Sequence, residues 1–290
     1  MVSNSELTEK IIKKAKSLGA SIAGVASVES LKNSPSHMIY PKIGLNLNEN
    51  FHDSKEGSHA QDVFWPESAV SVVVIGIEHN PKEPELDWWD GKGTPGNRIL
   101  IKVNNALSDW IENTLLITTH KLPYFVEKGG IFLKDAAVHA GLGCIGKNNL
   151  VVTPEYGPRI RFRALLLDKE ASPTVSTQFN PCEKCEQPCR KACPVKAFQH
   201  TLYSPDTLGQ HILPGINGTY DRVRCNIKME KDIDEAARTM STDDESRQEN
   251  RQLIMQFEKS HISKPNVEMS FSYCVKYCRK CELSCPVGSA

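Results

Sequence analysis

The 290-residue sequence carries no net charge, its 35 Lys and Arg being matched by 35 Asp and Glu. No global field draws the chain to nucleic acid or to an anionic membrane surface. Long hydrophobic runs are missing as well. The longest, around Ala69 to Ile77, is far too short to span a bilayer, and the opening MVSNSELTEK is polar, with no apolar core of a secretory signal. These absences predict a cytoplasmic, soluble protein with no membrane partner. Internal repeats and low-complexity segments are also absent, apart from one doubled motif built from cysteine.

Cysteine is what the sequence has in quantity, ten residues in all. Without a signal peptide, that number fits metal ligation in a reducing compartment, and solvent-near clusters favour an anaerobic setting. The first run, PCEKCEQPCRKACP from Pro181 to Pro194, places Cys182, Cys185, Cys189 and Cys193 at gaps of two, three and three residues. The second, SYCVKYCRKCELSCP from Ser272 to Pro286, places Cys274, Cys278, Cys281 and Cys285 at gaps of three, two and three. Both end in C-P, as in two-cluster bacterial ferredoxins, where the cysteine before proline crosses to the other cluster. Two [4Fe-4S] clusters are therefore expected. Zinc sites use two close pairs across a longer spacer, and disulfides need an oxidising compartment that nothing here indicates.

Elsewhere the pattern is that of a mixed α/β layer structure. Ser3 and Glu6 have the spacing of a capping box, and Leu7, Ile11, Ile12, Ala15 and Leu18 predict an amphipathic helix over 5–18. Ser21 to Val28 is β-prone, and AVSVVVIGI, Ala69 to Ile77, suits a central strand covered on both faces. Ile99 to Leu115 has helical spacing; Leu122 to Val126 reads as a strand, Ile131 to His139 as a helix, and Leu150 to Asp168 as a hairpin turning at Pro154 to Pro158. The Pro/Gly-rich stretch 81–97 carries Trp88 and Trp89, which either lie over a flat ligand or pack on the base of their loop. Thr242 and Glu245 predict the start of a helix carrying Leu253, Ile254 and Phe257.

AGLGCIGKNN, Ala140 to Asn149, nearly matches a phosphate-binding loop in Gly141, Gly146 and Lys147. It fails because Asn148 replaces the hydroxyl that holds Mg²⁺, and because the segment leaves a helix and enters a strand, the reverse of the required order. It reads instead as a glycine-capped helix end and a tight turn.

AGLGCIGKNNLVV closely resembles the AGLGWIGKN segment of epoxyqueuosine reductases, with Cys144 where Trp is usual. VTPEYGPRIRFRALLLD, Val152 to Asp168, and the two cysteine runs extend the resemblance from about Leu122 onward. That family is related to reductive dehalogenases. The resemblance implies an α+β chain with a nitroreductase-like, corrinoid-binding α/β domain over 1–170. A double-cluster ferredoxin-like domain over 171–290 follows it, with a helical insertion at about 200–270. It implies cobalamin beside the two [4Fe-4S] clusters, and a low-potential electron donor such as ferredoxin or flavodoxin. A cobalamin-dependent reductase of a small molecule follows; the rival readings are an electron carrier or reductive activator without a corrinoid, and a flavin-bound reductase.

Residue by residue, the family's proton-donating Asp falls on Glu127, in EKGG, with Tyr124 and Tyr156 as reserve donors. Thr153 and Arg161 are carried over as corrin contacts. Local spacing would complete the second cluster with Cys274, whereas the family's R-C-x-I context, matched by Arg224-Cys225-Asn226-Ile227, points to Cys225. The resemblance then implies Cys182, Cys185, Cys189 and Cys285 for one cluster and Cys193, Cys225, Cys278 and Cys281 for the other, leaving Cys144 and Cys274 as packing thiols. Epoxyqueuosine reductases continue into helical repeats that grip tRNA. This sequence stops at Ala290, which together with zero net charge argues against a tRNA substrate.

Overall fold

The computed structural model describes residues 3–40, 62–89, 93–126, 128–175, 178–208, 211–213, 215–242 and 275–288. Helix α1 (Asn4–Ser17) begins in the expected capping box: Ser3 Oγ accepts from the Glu6 amide at 3.2 Å, and the Ser3 amide donates to Glu6 Oε2 at 2.8 Å. Its buried stripe is Leu7, Ile11 and Ala15.

Strands β1 (Ile22–Ser27), β2 (Ser71–Glu78), β3 (Thr119–Lys121) and β6 (Ile160–Leu167) form one sheet in the order β1-β2-β6-β3, antiparallel at every pairing. A short second ladder joins β4 (Cys144–Ile145) to β5 (Val151–Val152). The central β2 is buried along all but its last residue because both faces of the sheet are covered. On one face Val73, Ile75, Leu165 and Leu167 meet α1 and α3 (Pro95–Trp110). On the other, Val72, Val74, Phe162 and Leu166 meet α2 (Val28–Lys32) and α4 (Leu133–His139). Each fully buried Leu or Val contributes about 1.5–3 kcal/mol, which explains why β2 reads as a continuous apolar run without alternation.

The start of α4 is fixed from below. Asp135, buried, accepts from Ser34 Oγ at 2.7 Å, from the Ser36 amide at 2.8 Å and from Ser36 Oγ at 2.6 Å. His37 Nδ1 lies 2.8 Å from Ser34 Oγ, and its Nε2 accepts from the Phe132 amide at 3.3 Å. Nδ1 therefore carries the proton, and burial holds His37 down to about 4.

Three expectations are corrected. The strand expected at Leu122 to Val126 lies earlier, at Thr119–Lys121, because Pro123 offers no amide to a ladder. The expected hairpin does not form: β5 pairs with β4, while β6 already has β2 and β3 on its two edges, and a Thr153–Gly157 bridge closes only a tight turn. Thr242, expected to open a helix, is itself helical at the end of α7 (Arg222–Thr242); Glu245, Leu253, Ile254 and Phe257 lie outside the described residues. The rest of the second half is short helices, α5 (Pro188–Lys191), α6 (Pro205–Leu208) and α8 (Lys280–Leu283), with α5 against α8. That contact brings the two cysteine runs together.

Candidate metal centre

The nine described cysteines are all free thiols; Cys274 lies outside the described residues. Two groups emerge from their mutual electrostatics. Cys189 senses Cys285, Cys182 and Cys185, and Cys285 in turn senses Cys182 and Cys185. Cys281 senses Cys225, Cys193 and Cys278, and Cys225 senses Cys193 and Cys278. Burial is the larger cause in each case and opposes the thiolate, pushing Cys281 up to about 12. A metal centre reverses that balance, since its positive charge deprotonates a coordinating thiol.

Each group mixes distant segments. Cys285 leaves the second run to join the first three cysteines, and Cys193 leaves the first run to join Cys278, Cys281 and Cys225, the last carried by α7. Backbone amides turn toward the sulfurs, Gln187 N to Cys185 Sγ at 3.4 Å and Ala197 N to Cys193 Sγ at 3.3 Å. Among the described residues no three His, Cys, Asp or Glu side chains converge as ligands of a single ion. Thiolates around a cubane each take a different iron, so they stand wider apart than that. Cys144 lies near Cys182 and Cys285, and burial pushes it up to about 11.

The α/β body grips the second run through Arg159 and Asp87, which the sequence did not single out, and through Arg161. Arg159, 2% exposed, donates from Nη1 to the Cys285 carbonyl at 3.1 Å and from Nη2 to that of Val287. Asp87 and Glu282 are buried between two arginines: Arg161 Nη2 reaches Asp87 at 3.0 Å and Glu282 at 2.7 Å, and Arg279 pairs with both. His79 Nδ1 adds a contact to Asp87 at 2.8 Å. Despite burial, the paired guanidinium groups hold both carboxyls below their ordinary range. The signal for this grip was present in PRIRFR, where alternate positions put Arg159, Arg161 and Arg163 on one face of a strand.

The tryptophan loop docks on the same segment. Trp89 exchanges two 2.8 Å backbone hydrogen bonds with Val275, and Trp88, 5% exposed, has Lys276 Nζ 5.2 Å from its ring centre. Trp88 thus packs against the second cysteine run. On the other side Arg190 Nε donates to the Lys147 carbonyl at 2.7 Å, joining the glycine-rich turn to the first run.

The residues carried over as corrin contacts are differently occupied. Thr153, 1% exposed, holds its own turn: its hydroxyl donates to the Gly157 carbonyl and accepts from the Tyr156 amide, each at 3.1 Å. Arg161 is tied to Asp87 and Glu282. Thr153 thus leaves almost no surface for a corrinoid, while the Arg161 side chain stays 24% exposed beside the two acids. Glu127 lies outside the described residues. Of the reserve donors, Tyr124 borders an open groove of about 210 Å³ with Arg163 5.1 Å from its ring centre, and Tyr156 packs at the sheet.

Comparison with known proteins gives the arrangement a context. No protein-family model matches. A crystal structure of epoxyqueuosine reductase with a tRNA-Tyr stem loop superposes over 99% of this chain and 67% of its own, with TM-score 0.57 and 18% identity. The fold is that of the epoxyqueuosine reductases. In sequence, the epoxyqueuosine reductase of Synechocystis is 29% identical over 138 residues, 45% of this chain and 46% of that protein. The tetrachloroethene reductive dehalogenase of Desulfitobacterium hafniense is 39% identical over 66 residues, 22% of this chain and 12% of that protein. The chain thus spans less than half the length of these two relatives. It is similar to both proteins, a reductase and a reductive dehalogenase. Among the described residues no helix is long and apolar enough to cross a membrane.

Proposed function

We propose that this chain is an iron-sulfur reductase of the epoxyqueuosine reductase and reductive dehalogenase superfamily. Two [4Fe-4S] clusters, when bound, would supply one-electron transfer between a low-potential donor, such as ferredoxin or flavodoxin, and a site in the α/β body. Cys182, Cys185, Cys189 and Cys285 hold the first cluster, and Cys193, Cys225, Cys278 and Cys281 the second. The observation that carries the reading is the exchange of Cys193 and Cys285 between the runs, the arrangement that the terminal C-P signature of two-cluster ferredoxins requires. In this reading residues 1–170 form a nitroreductase-like domain and 171–290 a ferredoxin-like domain.

A corrinoid, when bound, supplies a cobalt centre reducible to a strong nucleophile. Thr153 is buried in its own turn and Arg161 is paired with Asp87 and Glu282, so the reading routes no step through it. The same observation favours a second reading, an electron-transfer or reductive-activator protein without its own corrinoid. Glu127 remains the proposed proton donor, and the substrate a small reducible molecule. A tRNA stem loop is bound by the structural relative, whereas the balanced charge here supplies no global field to draw a tRNA.

Anaerobic reconstitution tests the proposal. About eight iron and eight sulfide per chain are expected from two four-iron clusters. With cobalamin added, cob(II)alamin bands after re-purification favour the corrinoid reductase, and a cluster-only spectrum the carrier. Stoichiometric zinc with almost no iron would overturn both. Cys225→Ser should lower the iron content and Cys274→Ser should not.

A further inference from the structure

Of the three arginines that alternate through PRIRFR, two have polar partners and one has none. Arg159 donates to backbone carbonyls of the second cysteine run, and Arg161 is shared by two acids. The guanidinium of Arg163, half-buried on β6, makes no hydrogen bond and no salt bridge among the described residues, and its Nε is shut off from water without an acceptor. It lies instead 5.1 Å from the centre of the Tyr124 ring. A cation over an aromatic face recovers only part of the hydration it gives up.

The space around Arg163 exists because a strand stops. β3 pairs with β6 only as far as Lys121 opposite Leu165, and beyond it a groove lined by Leu122, Tyr124, Ile131 and Leu133 opens beside Arg163. The loop that presents Tyr124 is stapled: the Gly130 amide donates to the Phe125 carbonyl at 3.0 Å, and a Cβ at Gly130 would stand 2.3 Å from the Pro123 carbonyl oxygen. The groove is therefore formed before anything enters it, which lowers the cost of binding. Apart from Arg163 and the Tyr124 hydroxyl, the side chains that line it are apolar.

We propose that this groove binds a small organic carboxylate, its apolar body against Tyr124, Leu122 and Leu133 and its two oxygens on the Arg163 guanidinium. The planar fork of an arginine matches a carboxylate in both spacing and charge. A single guanidinium balances one negative charge, so a doubly charged phosphate would be left with an uncompensated charge against an apolar wall. As the substrate class of the proposed reductase, the carboxylate rests on that reading; as a ligand of the groove it does not.

The test is titration calorimetry of the anaerobically reconstituted full chain with phenylacetate, with its neutral isostere phenylacetamide and with inorganic phosphate. Phenylacetate should bind at least about tenfold more tightly than phenylacetamide, the lower end of what hydrogen bonds to a charged group supply. Arg163→Met should erase that difference at unchanged iron content, and Arg163→Lys, which keeps the charge without the fork, should restore part of it. Equal binding of the two isosteres to the wild type, or undiminished phenylacetate binding in Arg163→Met, would overturn the inference. Phosphate bound as tightly as phenylacetate would overturn the choice of a carboxylate. If Arg163→Met loses its iron, the comparison of charged and neutral isostere on the wild type decides alone. Charge-selective binding that depends on Arg163, found together with a cluster-only spectrum after cobalamin is added, would count against the corrinoid reductase and uphold the groove.

Discussion

Replacing Arg161 with Met removes one of the two cations between Asp87 and Glu282 while keeping a long apolar stem on β6. Both carboxylates are almost wholly buried, with side chains 2% and 5% exposed, and Arg161 bonds them at 3.0 and 2.7 Å. Breaking a buried ion pair by removing one partner costs about 3–5 kcal/mol. Two features lower that figure: the Arg161 side chain is 24% exposed, and Arg279 still pairs with both acids. A loss of about 2–3 kcal/mol is expected, shared between the stability of the fold and the seating of α8. Because Glu282 lies between Cys281 and Cys285, iron should also leave the variant faster under a chelator. The assay is anaerobic urea denaturation of the reconstituted protein in a double-mutant cycle with Glu282→Gln. The two changes should couple by at least about 1 kcal/mol, since a neutral partner no longer leaves an uncompensated charge. Strict additivity, or a loss in Arg161→Met below about 0.5 kcal/mol, the range of ordinary surface substitutions, would refute the reasoning.

Acid should destabilise the α4 anchor before it reaches the carboxylates. His37 is held down to about 4, against 6.5 when free, so as pH falls from 6.5 to 4 the unfolded chain binds a proton that the folded chain refuses. Stability present above pH 6.5 should decline by up to roughly 3 kcal/mol over that window, and His37→Gln should flatten the decline in a pH series of urea midpoints. Gly157→Ala should loosen the carboxyl-terminal segment: Gly157 has φ +56°, and a Cβ there would stand 1.9 Å from the Val287 carbonyl oxygen. The left-handed backbone alone costs about 1–2 kcal/mol, and displacing Val287 should speed chelator-driven loss of iron from the Cys285 cluster. A variant that retains iron at the wild-type rate would show that the Val287 contact does not seat Cys285.

The sequence by itself determined what depends on local order: the capping box at Ser3 and Glu6, the period of α1 and α3, the apolar β2, and the paired C-P runs. Those signals are written in neighbouring residues and survive without knowledge of the fold. The turn at Thr153 was misread because pairing is a contest between strands for edges, and only the assembled sheet shows that β6 has none to spare. The grip of Arg159 and Arg161 on the second cysteine run was only half legible. Alternating arginines predict a shared face, but burying them requires partners more than a hundred positions away, at Glu282 and Cys285. Tertiary structure alone set Lys134 against the Asn149 carbonyl and the Tyr220 ring, since contacts form through distance in space and not through separation along the chain.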